Sequence, residues 1–151
     1  MIYVGIDPGL RGGWAIIYDD GHMDVYPWDD RIFIASMQGL STAAPNGDGI
    51  MCALEKVGAM PKQGLSSTFK FGEEYGLIQG ILKALHIPYQ TIPPQTWKKE
   101  FSLLHQDKSK SIETAQRLFP NVNFLPTDRS RKPSDGMCEA GLLAEYARRK
   151  L

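Results

Sequence analysis

The sequence predicts a single α/β domain spanning residues 1–151. Three observations carry that expectation. The first 28 residues hold three short apolar runs joined by tight turns. Residues 50–55 form a continuous apolar run closed by an acid, the pattern of a buried central strand. From about residue 68 onward, segments of helical period dominate. Strands and helices alternating in this way are the pattern of an α/β protein.

Residues 2–7 are rich in apolar and β-branched side chains and stop at Asp7-Pro8-Gly9, a turn. Gly12-Gly13 opens a second strand through Tyr18. Asp19-Asp20-Gly21-His22 turns the chain, and Met23 to Trp28 returns as a third strand. Such runs with short turns read as an antiparallel meander. Asp29-Asp30 is placed to cap a helix over 31–38, and residues 41–49 read as a loop. Ile50 to Glu55 is the central strand, and Gly58 to Ser67 a second loop.

A long helix is expected over about 68–86, because Phe71, Tyr75, Ile78, Leu82 and Leu85 keep helical spacing. Gly72, Gly76 and Gly80 form a stripe on it that costs about 1 kcal/mol per residue against alanine. Close approach of another backbone, within the chain or across a dimer, would be a reason to tolerate it. Residues 87–92 form an edge-compatible strand closed by Pro93-Pro94. Short helices follow over 95–101 and 107–119. After a polar loop, Ser134 or Asp135 caps a last helix to about Arg149.

The net charge is +0, which by itself argues against a nucleic-acid binder. The distribution reverses that argument. Residues 1–55 carry a net −6 and residues 56–151 a net +6, so an anion-binding face is worth seeking. Two cysteines and no CxxC pair exclude a disulfide framework and a zinc ribbon, and fit a cytoplasmic, reducing setting. No apolar run reaches the ~18–20 residues of a membrane span, so no membrane partner is expected.

Four carboxylates stand out. Asp7 ends the first strand and Glu55 ends the central one. Asp135 and Glu139 are four apart and share a helix face. Gathered together, they would repel unless neutralised, and divalent cations that prefer carboxylate oxygen do this. Two such ions can drive phosphodiester hydrolysis. Other roles stand beside this one. An Asp before Pro-Gly forms turns, Asp135 can serve as a helix cap, and Glu139 as a solvated face. Glu55 is harder to explain without a partner.

Five segments occur in order: Gly5-Ile6-Asp7-Pro8-Gly9, Ala53-Leu54-Glu55-Lys56-Val57, Phe69-Lys70-Phe71-Gly72-Glu73-Glu74-Tyr75-Gly76, Pro94-Gln95-Thr96-Trp97-Lys98-Lys99, and Asp135 through Ala144. Together they resemble the RuvC family of Holliday junction resolvases, and its phage-type members most closely. The resemblance implies a ribonuclease-H-like fold: a mixed five-stranded sheet, its first three strands antiparallel, flanked by helices. It implies that Asp7, Glu55, Asp135 and Glu139 hold two Mg²⁺ ions, with Mn²⁺ expected to substitute. It implies a homodimer that nicks branched DNA in pairs to leave 5′-phosphate ends, and a phage-encoded origin. Two departures are visible. The last acidic pair is Asp135-x-x-x-Glu139 rather than Asp-x-x-Asp, and Gly58 stands where relatives carry an aromatic. Phe69 is the candidate to replace that aromatic as a junction wedge.

Among the basic residues, Lys108 matches a lysine near the family's active site. A lysine at a helix start opposes the macrodipole, so a phosphate partner would help explain it. Lys98, Lys99 and Lys110, and Arg129, Arg131 and Lys132 in the loop before Asp135, are expected to hold DNA phosphates. Trp97 reads as core. Two other readings remain: a non-catalytic branched-DNA-binding relative, and an actin-like or sugar-kinase-like ATPase suggested by Asp7-Pro8-Gly9. Such ATPases usually need two lobes, for which 151 residues are few.

Overall fold

A computed structural model of the protein describes residues 1–151. The elements in chain order are β1 (Ile2–Asp7), β2 (Gly13–Ile17), β3 (Met23–Pro27), α1 (Asp30–Ala43), β4 (Ile50–Glu55), α2 (Leu65–Ala84), β5 (Tyr89–Ile92), α3 (Pro94–Glu100), α4 (Lys108–Leu118) and α5 (Asp135–Lys150). The five strands form one sheet in the order β3-β2-β1-β4-β5. The first three are antiparallel, as expected from their short turns. β4 lies parallel to β1, and β5 parallel to β4.

Strand period sorts the side chains onto two faces. Val4, Ile6, Cys52 and Leu54 point to one side and pack with Trp14, Phe33, Met37, Ile78 and Leu82, under α1 and α2. On the other side Ala53 and Ile92 pack with Trp97, Met137, Leu142 and Leu143, under α3 and α5. Each of these larger side chains contributes about 1.5–3 kcal/mol when fully buried. No helix is long and apolar enough to cross a membrane.

The same period positions the acids. Asp7 shares its face with Gly5, and Glu55 shares its face with Ala53. β1 and β4 pair in parallel with Ile6 opposite Leu54, so the next residue of each strand emerges at the same sheet edge. α5 lies across β1, β2 and β4 on that face. It comes very close because Gly5 has no side chain. A Cβ there would stand 2.2 Å from the Ala140 oxygen and 2.2 Å from the Ala144 nitrogen. The start of α5 is held the same way, since a Cβ on Gly136 would stand 2.0 Å from the Arg11 oxygen.

Some boundaries differ from the sequence expectation. α1 runs to Ala43 instead of ending at 38. It continues past Gly39 because Leu40 is buried and the Thr42 hydroxyl donates to the Gln38 carbonyl at 2.9 Å. α2 begins at Leu65, three residues early, and ends at Ala84. β5 begins at Tyr89, since Pro88 has no N–H to add to the ladder. Ser134, not Asp135, caps α5, accepting from the Met137 N–H at 3.2 Å. Of the two readings of the glycine stripe, close packing within the chain falls away, because Gly72, Gly76 and Gly80 face open space.

Candidate active site

Asp7, Glu55 and Glu139 each bring a carboxylate oxygen to within 4.8 Å of the others. All three are partly buried. They line a cleft of about 520 Å³ with Asp135, Lys108, Arg11, Lys70 and Glu74. Asp135 stands one turn before Glu139 on α5 and is turned toward α4. Its Oδ2 receives Lys108 Nζ at 2.8 Å.

The electrostatics follow from this split. Burial raises the pKa of Asp7 well above the usual carboxylate range, and Glu55, Glu139 and Asp135 push it further. Burial also raises Glu55, against the hydrogen bond from Trp97 and the charge of Lys98. Glu139 is raised by burial and by Glu55 and Asp135, with Lys98 and Lys108 opposing. Asp135 goes the other way: burial works to raise it, but the hydrogen bond and charge of Lys108 hold it below its ordinary value. Lys108 is raised in return, first by its hydrogen bond to Asp135. Three crowded acids, none of them in an ion pair, fit divalent cations bound by oxygen.

Neighbouring elements hold these carboxylates. Trp97 on α3 is fully buried, as the core reading expected, and its Nε1–H donates to Glu55 Oε2 at 2.7 Å. The buried Ser111 of α4 donates to Glu139 Oε1 at 3.3 Å. Trp97 is thus a partner for Glu55 that its position after an apolar run calls for.

The predicted DNA-binding residues scatter more widely. Lys98 is partly buried, stacks its ammonium 5.4 Å from the Trp97 ring, and acts on Glu55 and Glu139. Lys99 is exposed on the same short helix. Lys110 is engaged with Glu113 on its own helix at 3.1 Å. Arg129, Arg131 and Lys132 are exposed on the loop before α5 and do not line the cleft. Phe69 is 71% exposed and lies outside the cleft lining. The cleft instead takes Arg11 from the β1–β2 turn, and Gln63, Ser67, Lys70 and Glu74 from the start of α2 and the loop before it. Ser67, Lys70 and Glu74 are spaced by three and four, a helical polar stripe that the apolar periodicity of α2 overshadows.

No protein-family model matches the sequence, and no curated protein matches it. Solved structures do. Thermus thermophilus RuvC superposes with a TM-score of 0.59 at 17% identity, over 99% of this chain and 96% of that one. The fold is RuvC-like. Thermus thermophilus RuvC in complex with Holliday junction substrate gives a TM-score of 0.62 at 15% identity, over 99% of this chain and 97% of that one. At such identity the likeness concerns the fold, and the RuvC-like fold is the ribonuclease-H-like architecture implied by the motifs. Its mixed sheet carries the first and fourth strands side by side, with Asp7 and Glu55 at their ends.

Proposed function

We propose that the protein is a metal-dependent, structure-selective DNA endonuclease that resolves four-way junctions or other branched DNA by paired nicks leaving 5′-phosphate ends. The observation that carries this reading is the convergence of Asp7, Glu55 and Glu139 in one open cleft of a RuvC-like fold. The solved relative bound to a Holliday junction supports branched DNA as the substrate class.

Asp7, Glu55, Asp135 and Glu139 would hold two Mg²⁺ ions, or Mn²⁺ in their place. Bound there, the metal would supply an activated water and neutralise charge developing at the scissile phosphate. The chain's own residues do the rest. Lys108, 78% exposed at the mouth of the cleft, is free on one side to meet a phosphate oxygen. Lys98, Arg11 and Lys70 bring further positive charge to the cleft and favour an anionic strand. Trp97 and Ser111 orient two of the acids.

A homodimer belongs to the same proposal, because a two-fold substrate cut twice suits a two-fold protein. Exposed Leu65, Phe69 and Leu77 and the open glycine stripe on α2 support it. The test is cleavage of synthetic four-way junctions in Mg²⁺ or Mn²⁺, compared with flaps, forks and linear duplex, on protein whose mass is read by sedimentation. Paired nicks in the junction by a dimer are expected. Junction binding without nicking in either metal would make the protein a non-catalytic relative instead.

A further inference from the structure

Trp97 lies 42 residues from Glu55 in sequence, yet the two side chains meet through one short hydrogen bond of 2.7 Å. An indole has a single polar atom and can only donate. Here the ring is fully buried between α3, β5 and α5, in the cluster that includes Ile92, Leu103 and Leu142, so it cannot swing away from its partner. The bond to an ionised carboxylate is charge-assisted. It engages Oε2 and leaves both lone pairs of Oε1 unused. Glu55 otherwise hangs on three rotatable bonds at a strand end, and Asp7 and Glu139 stand close enough to repel it.

We propose that Trp97 is a positioning residue that fixes the Glu55 carboxylate as a divalent-cation ligand. The indole presets the carboxyl plane before the ion arrives, so the ion need not order the side chain itself. This rests on the metal-binding reading of the acid cluster. Outer partners of ligating carboxylates typically contribute a factor of roughly 10–100 in metal affinity.

The experiment is a Mn²⁺ titration followed by electron paramagnetic resonance of the free ion, on wild type, Trp97→Phe and Leu103→Ala. Phenylalanine keeps an aromatic ring in the core and removes the donor. Leu103, 4% exposed in the same cluster, controls for lost packing. Trp97→Phe is expected to weaken Mn²⁺ binding by about 10–100-fold, with Leu103→Ala close to wild type and metal-free junction affinity unchanged in both. Equal losses in the two variants, or none in Trp97→Phe, overturn the proposal. A wild type that binds no Mn²⁺ overturns the metal reading itself. A second measurement needs no variant. In ¹⁵N-labelled wild type, Mg²⁺ should shift the Trp97 indole resonance and leave that of Trp14, whose Nε1 has no partner, in place. A Trp97 resonance that stays fixed while Mg²⁺ saturates the protein also overturns the proposal.

Discussion

Lys108 Nζ lies 2.8 Å from Asp135 Oδ2, which joins the first residue of α4 to the first residue of α5. The pair makes the acidic cleft asymmetric. Of the four acids singled out in the sequence, Asp135 is matched by a cation of the chain, and Asp7, Glu55 and Glu139 face one another. The lysine side is exposed, so the pair opens at small cost and both partners stay available to other ions.

Asp7 sits among the other acids, so its replacement should remove metal-assisted chemistry while sparing the DNA surface. Asp7→Asn is expected to lower junction cleavage by about a hundredfold to a thousandfold or more. Binding in Ca²⁺ should stay near wild type by gel shift. Strong residual nicking would remove Asp7 from the site.

The same substitution should stabilise the metal-free protein. Burial, then Glu55 and Glu139, raise the Asp7 pKa. A raised carboxyl contributes stability that is complete below the ordinary carboxylate range and is lost as pH rises through the folded-state value. In chelator at pH 7, Asp7→Asn should therefore melt about 2–4 °C above wild type for each kcal/mol relieved. The two should converge at acid pH. Mg²⁺ should raise the wild-type melting temperature and leave the variant's nearly unchanged.

Lys108 holds Asp135 ionised, and its loss should show in the pH profile. Lys108→Ala is expected to lower turnover by about a hundredfold and to change junction affinity far less. Asp135 would return toward its ordinary pKa, so the acid limb of the rate profile should move to higher pH. A variant that mainly loses affinity would make Lys108 a binding residue only.

Cations that line the cleft should matter more for DNA than those engaged elsewhere. Lys70→Ala should reduce the slope of log affinity against log salt by about 0.9 for the lost phosphate contact. Lys110→Ala, whose lysine already pairs with Glu113, should leave the slope unchanged. Salt-dependent junction binding by fluorescence anisotropy reads both.

Two glycines should respond in opposite directions. Gly5→Ala drives a methyl into the backbone of α5, and a loss of about 1–3 kcal/mol or more is expected. Gly39→Ala lies inside α1 with nothing near it, and should gain about 1 kcal/mol from helix propensity. Thermal melts of the two variants decide the point.

Element type was legible wherever local pattern governs it. The apolar run Ile50 to Leu54, the turn at Asp7-Pro8-Gly9 and the helical spacing of Phe71 to Leu85 each act over a few residues, and each predicted its element. Boundaries were less legible, because the extension of α1 depends on the burial of Leu40 against the sheet. The sequence by itself also determined which acids were candidates, since strand ends and an i,i+4 helical pair are local features. Only the tertiary structure decided how they meet. Parallel pairing of β1 with β4 set Asp7 beside Glu55, and Gly5 let α5 descend far enough to bring Glu139 to them. It also gave Asp135 to Lys108 and Glu55 to Trp97, and turned Lys70 and Arg11 into the cleft while Arg129 and Arg131 stayed outside. These are contacts between residues tens of positions apart, and side-chain partners at that range are chosen by packing and register rather than by spacing along the chain.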